Sequence, residues 1–179
     1  MELVATPDGP LNLLGSGGEA IVFTDGTRVY KCFDAIRERA CGQSIDFLRE
    51  LPQRLRGASK LYPVEKFLEH GPHSVLIYPF EQTQPYEGGH GPRLVALLRE
   101  MRDLGVICRN MHPQNLRVTA DGSVRLIDYG TDLHPYTDDD FRVMCQRAWL
   151  SWRWHHRPDL KEVMRRALHD DELVELDGF

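Results

Sequence analysis

Apolar and polar residues alternate in short runs over the first part of the chain and then switch to helical spacing. Leu11-Asn12-Leu13-Leu14 leads into Gly15-Ser16-Gly17-Gly18. Ala20-Ile21-Val22-Phe23, Thr24-Asp25-Gly26-Thr27 and Arg28-Val29-Tyr30-Lys31-Cys32-Phe33 follow. This predicts strand, glycine-rich turn, strand, tight turn, strand; Asp25-Gly26 between β-branched runs is a strong hairpin signal. From Ser44, a plausible N-cap, to about Leu55, the residues Ile45, Leu48, Leu51 and Leu55 fall along one side of a helix. Two further strands are expected near 64–68 and 74–80, with a turn at Glu69-His70-Gly71-Pro72-His73. The stretch 82–92 is rich in Gly, Pro and Gln and has little periodicity, which marks it as a linker and sets a boundary near residue 82.

In the second half, Leu94, Leu97, Leu98 and Met101 share one face of a helix predicted over 93–104. The segment Gly105–Gly130 then holds two short apolar strands around an Asp121-Gly122 turn, with polar clusters at Asn110–Asn115 and at Asp128. Thr137-Asp138-Asp139-Asp140 supplies an N-cap and an acidic first turn for a long helix reaching about Trp154. Phe141, Cys145, Ala148 and Trp152 lie on its expected core face. A last helix is expected after Arg157-Pro158-Asp159, running to about Leu168, and Arg153, His155, His156 and Arg157 form a small basic patch before it.

At 179 residues the chain is long enough for a real core, in one domain or two small lobes. The net charge of -5 argues against a nucleic-acid partner met through a broadly basic face. No apolar run approaches the roughly 18 residues needed to span a bilayer. The four cysteines, Cys32, Cys41, Cys108 and Cys145, show no C-x-x-C spacing and read as reduced core thiols of a cytoplasmic protein. His70, His73 and His90 fall in predicted turns, where solvated side chains are the default.

Three groups of residues bear on chemistry. The turn Gly15-Ser16-Gly17-Gly18 can lay backbone N–H groups over phosphates, and Lys31 on the third strand can meet the same oxygens. Lys31 needs a counter-charge; the predicted helix offers Glu50, with Glu38 as a competitor. Asn115 and Asp128 are oxygen donors of the kind Mg²⁺ takes alongside phosphate and water. Taken singly, each group has a plainer alternative: an ordinary hairpin, a solvated helix charge, an ordinary turn.

Together these residues resemble the protein-kinase-like superfamily over about 11–155. Leu14-Gly15-Ser16-Gly17 through Val22 resembles the glycine-rich loop, Val29-Tyr30-Lys31 the lysine strand, and Glu50 the helix glutamate that pairs with the lysine. Cys108-Arg109-Asn110 through Asn115 is similar to the catalytic loop His-Arg-Asp-x-x-x-x-Asn, and Asp128-Tyr129-Gly130 to Asp-Phe-Gly. Met111-His112-Pro113-Gln114-Asn115 is nearer to the Leu-His-Pro-Gly-Asn of aminoglycoside-phosphotransferase-type kinases. The tail after Tyr129 resembles bacterial kinase-like modules that sit beside methyltransferase domains.

The resemblance implies an α+β, two-lobed fold in a single domain. Its N-lobe, about 1–81, would be a five-stranded antiparallel sheet with one helix, its hinge about 82–92, and its reduced helical C-lobe about 93–179. It implies ATP and Mg²⁺ as ligands: Gly15, Ser16, Gly17, Gly18, Val22 and Lys31 around the nucleotide, Glu50 orienting Lys31, and Asn115 and Asp128 on the metal. The catalytic set would be Asn110, Lys31 and Asp128. Three departures bear on activity. Ala20 stands at the third loop glycine, no Ala-Pro-Glu closes an activation segment before Thr137, and Asn110 occupies the place of the proton-accepting aspartate. An amide can orient a hydroxyl but cannot take its proton, so either slow transfer to a hydroxyl acceptor or a catalytically inactive pseudokinase is expected. In the second case the domain would serve a protein partner or a neighbouring enzyme domain.

Overall fold

The computed structural model describes residues 10–34, 45–70, 73–130 and 132–154. Ser44, Glu38, Cys41, His155, His156, Arg157, the side chain of Arg153 and the last helix, expected after Asp159 to about Leu168, lie outside the described residues. The chain divides into two compact units. One comprises the residues up to Gly57 together with Pro63–Glu81; the other comprises Ala58–Tyr62 and the chain from Gln82 onward. Among the described residues there are three α-helices and no helix long and apolar enough to cross a membrane.

The first unit is built on a five-stranded antiparallel sheet of β1 (Asn12–Ser16), β2 (Ala20–Thr24), β3 (Arg28–Asp34), β4 (Lys66–His70) and β5 (His73–Pro79), in the order β1-β2-β3-β5-β4. Because side chains alternate along a strand, register decides which residues share a face. Phe23, Tyr30 and Ile77 sit opposite one another and form a cluster with Leu11, Ile21, Cys32 and Val75. The other face carries Ala20, Lys31, Phe33, Ser74 and Leu76, all buried. A β-bulge between Leu13 and Gly15 absorbs one residue and brings Gly15 opposite Val22. Across the sheet this gives one continuous row: Gly15, Val22, Lys31, Leu76 and Phe67.

The β2–β3 hairpin turns at Gly26, whose φ of 94° is open to glycine. Asp25 fastens the turn. Its Oδ1 accepts from the N–H groups of Thr27 (2.8 Å) and Arg28 (2.7 Å), and its Oδ2 from the Tyr30 hydroxyl (2.7 Å). Burial works against the carboxylate, yet the bonds from Tyr30, Thr27 and Arg28 outweigh it and hold Asp25 well below the usual range. Helix α1 (Ile45–Arg54) buries Phe47, Leu48 and Leu51, and Leu55 just beyond it is buried too.

In the second unit, α2 (Gly91–Asp103) buries Leu94, Val95, Leu97, Leu98 and Met101. It packs against α3 (Asp138–Trp154), against β7 (Val106–Cys108) and against β9 (Val124–Leu126). Two small sheets complete the unit. β7 pairs with β10 (Leu133–Pro135), and β8 (Leu116–Val118) lies between β6 (Gln84–Pro85) and β9. On α3, Phe141, Met144, Cys145 and Ala148 are buried, and Trp152 packs close over Gly91. Thr137 caps the helix: its Oγ1 accepts from the Asp140 N–H at 3.1 Å.

The stretch read as a linker, 82–92, is structured from Gln84. Gln84 and Pro85 pair with Val118 and Arg117, and Tyr86 is buried with its hydroxyl on the Gly89 carbonyl at 2.8 Å. A two-residue strand with a proline carries no periodicity, which is why the pattern looked featureless. His90, before α2, takes φ 56° and ψ 31°, the left-handed region, and makes no side-chain cap. That conformation costs a residue with a Cβ roughly 1–2 kcal/mol. His90→Gly is therefore expected to stabilise the chain by about 1 kcal/mol in urea unfolding; an unchanged or lower midpoint would show that the strain is relieved elsewhere.

Candidate functional site

Each unit holds a set of the residues singled out in the sequence. In the first, Gly15, Val22 and Lys31 stand side by side in the row across the sheet, with Lys31 on the central strand and only 4% exposed. Its ammonium lies 5.5 Å from the centre of the Phe33 ring and 3.8 Å from Oε1 of Glu19. The turn between β1 and β2 is closed by the Gly17 N–H on the Ala20 carbonyl at 2.9 Å. Ser16 pairs with Ile21 and so belongs to the other face from Lys31.

Gly15, Gly17 and Gly18 differ from Gly26. None of the three has positive φ, and a Cβ added at any of them would meet nothing within 4 Å. Neither backbone conformation nor crowding in the protein accounts for three glycines here.

The expected pairing of Lys31 with Glu50 is replaced by other contacts. The Glu50 carboxylate accepts from Arg54 at 2.7 Å, one turn along the same helix, and its side chain is 56% exposed. The physical reason lies in the helix face. Phe47, Leu48, Leu51 and Leu55 define the buried side of α1, and Glu50 falls outside it, where an i,i+4 Glu–Arg pair forms at little cost. Glu19, which the residue pattern did not single out, is an acid beside Lys31.

In the second unit, Asn110, Asn115 and Asp128 are held by one hydrogen-bonded frame. β7 ends at Cys108, and its ladder with β10 pairs Cys108 with Leu133. The Arg109 N–H continues to the Asp132 carbonyl at 2.8 Å. The Asn110 carbonyl accepts twice, from the His112 N–H at 2.8 Å and from Asn115 Nδ2 at 3.1 Å. Donating through Nδ2 leaves Asn115 to present Oδ1 as an oxygen ligand. Its own carbonyl takes the Ile127 N–H at 2.9 Å, which sets Asn115 in register beside the end of β9 and Asp128. The Asp121-Gly122 turn joins β8 to β9 as the pattern predicted, with Gly122 at φ 76°.

Two neighbours were not foreseen. Asp132 brings a carboxylate oxygen within 4.8 Å of one on Asp128, so this edge of the unit offers more oxygen than Asn115 and Asp128 alone. The donor set suits a hard cation such as Mg²⁺, which prefers oxygen ligands. Tyr129, fully buried, accepts the Tyr62 N–H on its hydroxyl at 2.5 Å, a bond that a phenylalanine could not make. Its partner lies 67 positions away, which hid it from any local pattern.

Arg109 is gripped from α3. Its Nε and one terminal nitrogen reach the two oxygens of Asp140 at 3.2 and 3.1 Å, and this guanidinium holds the Asp140 carboxyl below its usual range. Cys108, behind the loop, is fully buried; burial first, then the nearby charges of Asp132 and Asp128, pushes its thiol up to about 12. It is an unreactive packing residue. Asn110 itself is exposed.

No family model matches the chain. A probable serine/threonine-protein kinase of Dictyostelium discoideum is 23% identical to it over 100 residues, covering 55% of this chain and 22% of that protein. The chain thus spans about a fifth of the length of that curated relative, a distant and partial likeness to a kinase.

Proposed function

We propose that this chain is a reduced, two-lobed protein-kinase-like domain that binds Mg-ATP and transfers phosphate slowly to a hydroxyl acceptor. The observation that carries this reading is the row in the first unit. A buried ammonium stands in register with Gly15, which leads into the turn holding Gly17 and Gly18, and neither φ nor crowding explains the identity of these three glycines. A ligand that needs close backbone approach and positive charge, such as a chain of phosphates, accounts for both. The distant kinase likeness agrees with it.

In this reading Lys31 holds the phosphates, while Asn115 through Oδ1 and Asp128 hold Mg²⁺. The metal, when bound, neutralises charge on the transferring group. Asn110 orients the acceptor hydroxyl. It cannot accept the proton, which lowers the rate by the roughly 10²–10⁴-fold that general-base help supplies. That same asparagine favours a second reading, a pseudokinase that binds nucleotide and regulates a protein partner or a neighbouring enzyme domain in the cytoplasm.

Thermal unfolding with millimolar ATP and Mg²⁺ tests nucleotide binding. The wild type is expected to melt several degrees higher with both ligands, as binding to the folded state alone requires. Lys31→Ala and Asp128→Ala are each expected to remove the shift. No shift in the wild type would count against both readings.

A further inference from the structure

We propose that Glu19, in the glycine-rich turn, is a positioning residue for Lys31, a role the resemblance gives to Glu50. The inference rests on the Mg-ATP reading and adds to it the residue that ties the phosphate-facing turn to the lysine. Lys31 sits on the central strand of the sheet with its side chain 5% exposed, and a buried ammonium is costly unless it is paired. Glu19 Oε1 stands 3.8 Å from Nζ, and its own side chain is only 17% exposed, so the pair is shielded from water on both sides. Glu50 is engaged by Arg54 at 2.7 Å on an open helix face.

Glu19 also has a fixed position. The residue after it, Ala20, accepts the Gly17 N–H and pairs with Phe33, two residues along β3 from Lys31. Glu19 stands in this closed turn, outside the strand alternation, and its carboxylate reaches the lysine. A counter-charge carried by the turn itself couples turn and lysine: where one is drawn to phosphate, the other is set for it. Removing the charge takes away the turn's hold on the ammonium, which weakens recognition of the phosphates and spares recognition of the nucleoside.

Competition binding on the full chain, with a fluorescent ATP analogue displaced by Mg-ATP or by adenosine, tests this. For Glu19→Gln the expected result is at least a 10-fold loss of Mg-ATP affinity with adenosine affinity unchanged, and partial recovery in Glu19→Asp. Glu50→Gln is expected to stay within 2-fold of the wild type. An unchanged or tighter Mg-ATP affinity in Glu19→Gln overturns the proposal, as does an equal loss for Mg-ATP and adenosine, or a loss that follows Glu50→Gln instead. A wild type that displaces the analogue with neither ligand overturns the Mg-ATP reading itself. That failure is recognisable because it precedes any effect of Glu19.

Discussion

Asn110→Asp is expected to raise the rate of phosphate transfer or ATP hydrolysis by roughly 10²–10⁴-fold, the range that a positioned general base contributes. The substitution changes an amide nitrogen to a carboxylate oxygen and leaves the backbone frame as it is. The carbonyl at position 110 accepts from His112 N–H and Asn115 Nδ2, and the preceding N–H is tied to Asp132. None of these bonds involves the Asn110 side chain, and that side chain is exposed, so an aspartate enters without burying charge. Two bystander effects are small. The Arg109–Asp140 pair lies on the neighbouring residue, and Asn115 keeps its bond to the main chain at 110. Single-turnover assays with radiolabelled ATP are the measurement. A rate that rises from a measurable baseline supports slow natural catalysis. Activity appearing only in the variant identifies the natural chain as a pseudokinase, and no rate in either form, with nucleotide still bound, removes phosphotransfer from the reading.

The parts of the fold that were legible in the sequence are those whose signal is local. Asp25-Gly26 between alternating runs predicts the β2–β3 hairpin because the turn and both strands lie in one short stretch, Ala20 to Asp34, and Asp121-Gly122 does the same for β8 and β9. The buried stripe of α2 follows from the spacing of Leu94, Leu97, Leu98 and Met101. What was not legible depends on partners far along the chain or on small geometric choices. Helical spacing puts Glu50 on α1 but does not show that Arg54 would take it, and nothing in Gly17-Gly18-Glu19 announces a carboxylate turned to Lys31. Asp132 carries no local signal of its own and comes beside Asp128 where β10 pairs with β7.

The segment Ala58–Tyr62 is the clearest instance, and it yields the second large effect. It carries no periodicity and sits between elements of the first unit, yet it belongs to the second. Glu100, on α2, holds it there. One carboxylate oxygen accepts from Ser59 N–H and Oγ, both at 2.7 Å; the other accepts from the N–H groups of Lys60 (2.6 Å) and Leu61 (2.7 Å). Tyr129 and Arg125 add to the hold, through the Tyr62 N–H and the Ser59 carbonyl. Charge-assisted bonds of this kind contribute about 1.5–3 kcal/mol each, with strong overlap among bonds to one group. Glu100→Ala is accordingly expected to destabilise the chain by about 3 kcal/mol, at the upper end for a single substitution. For a chain of this size that corresponds to a fall in Tm of roughly 6–12 °C.

The pH dependence has a definite sign. Burial alone would raise the Glu100 carboxyl, but the bonds from Ser59, Leu61 and Lys60 outweigh it and set its folded-state value below the ordinary one. A depressed folded value means that the contribution is fully present above the ordinary glutamate range, about 4.3, and is lost as pH falls through the folded value. The wild-type advantage over Glu100→Ala should therefore be constant near neutrality and shrink below about pH 4. Urea unfolding of both proteins at pH 7 and at pH 3.5 measures it. A difference under about 1 kcal/mol at pH 7 would show that water replaces the carboxylate at little cost. A difference that grows toward acid would contradict the bonding that places Ala58–Tyr62 in the second unit.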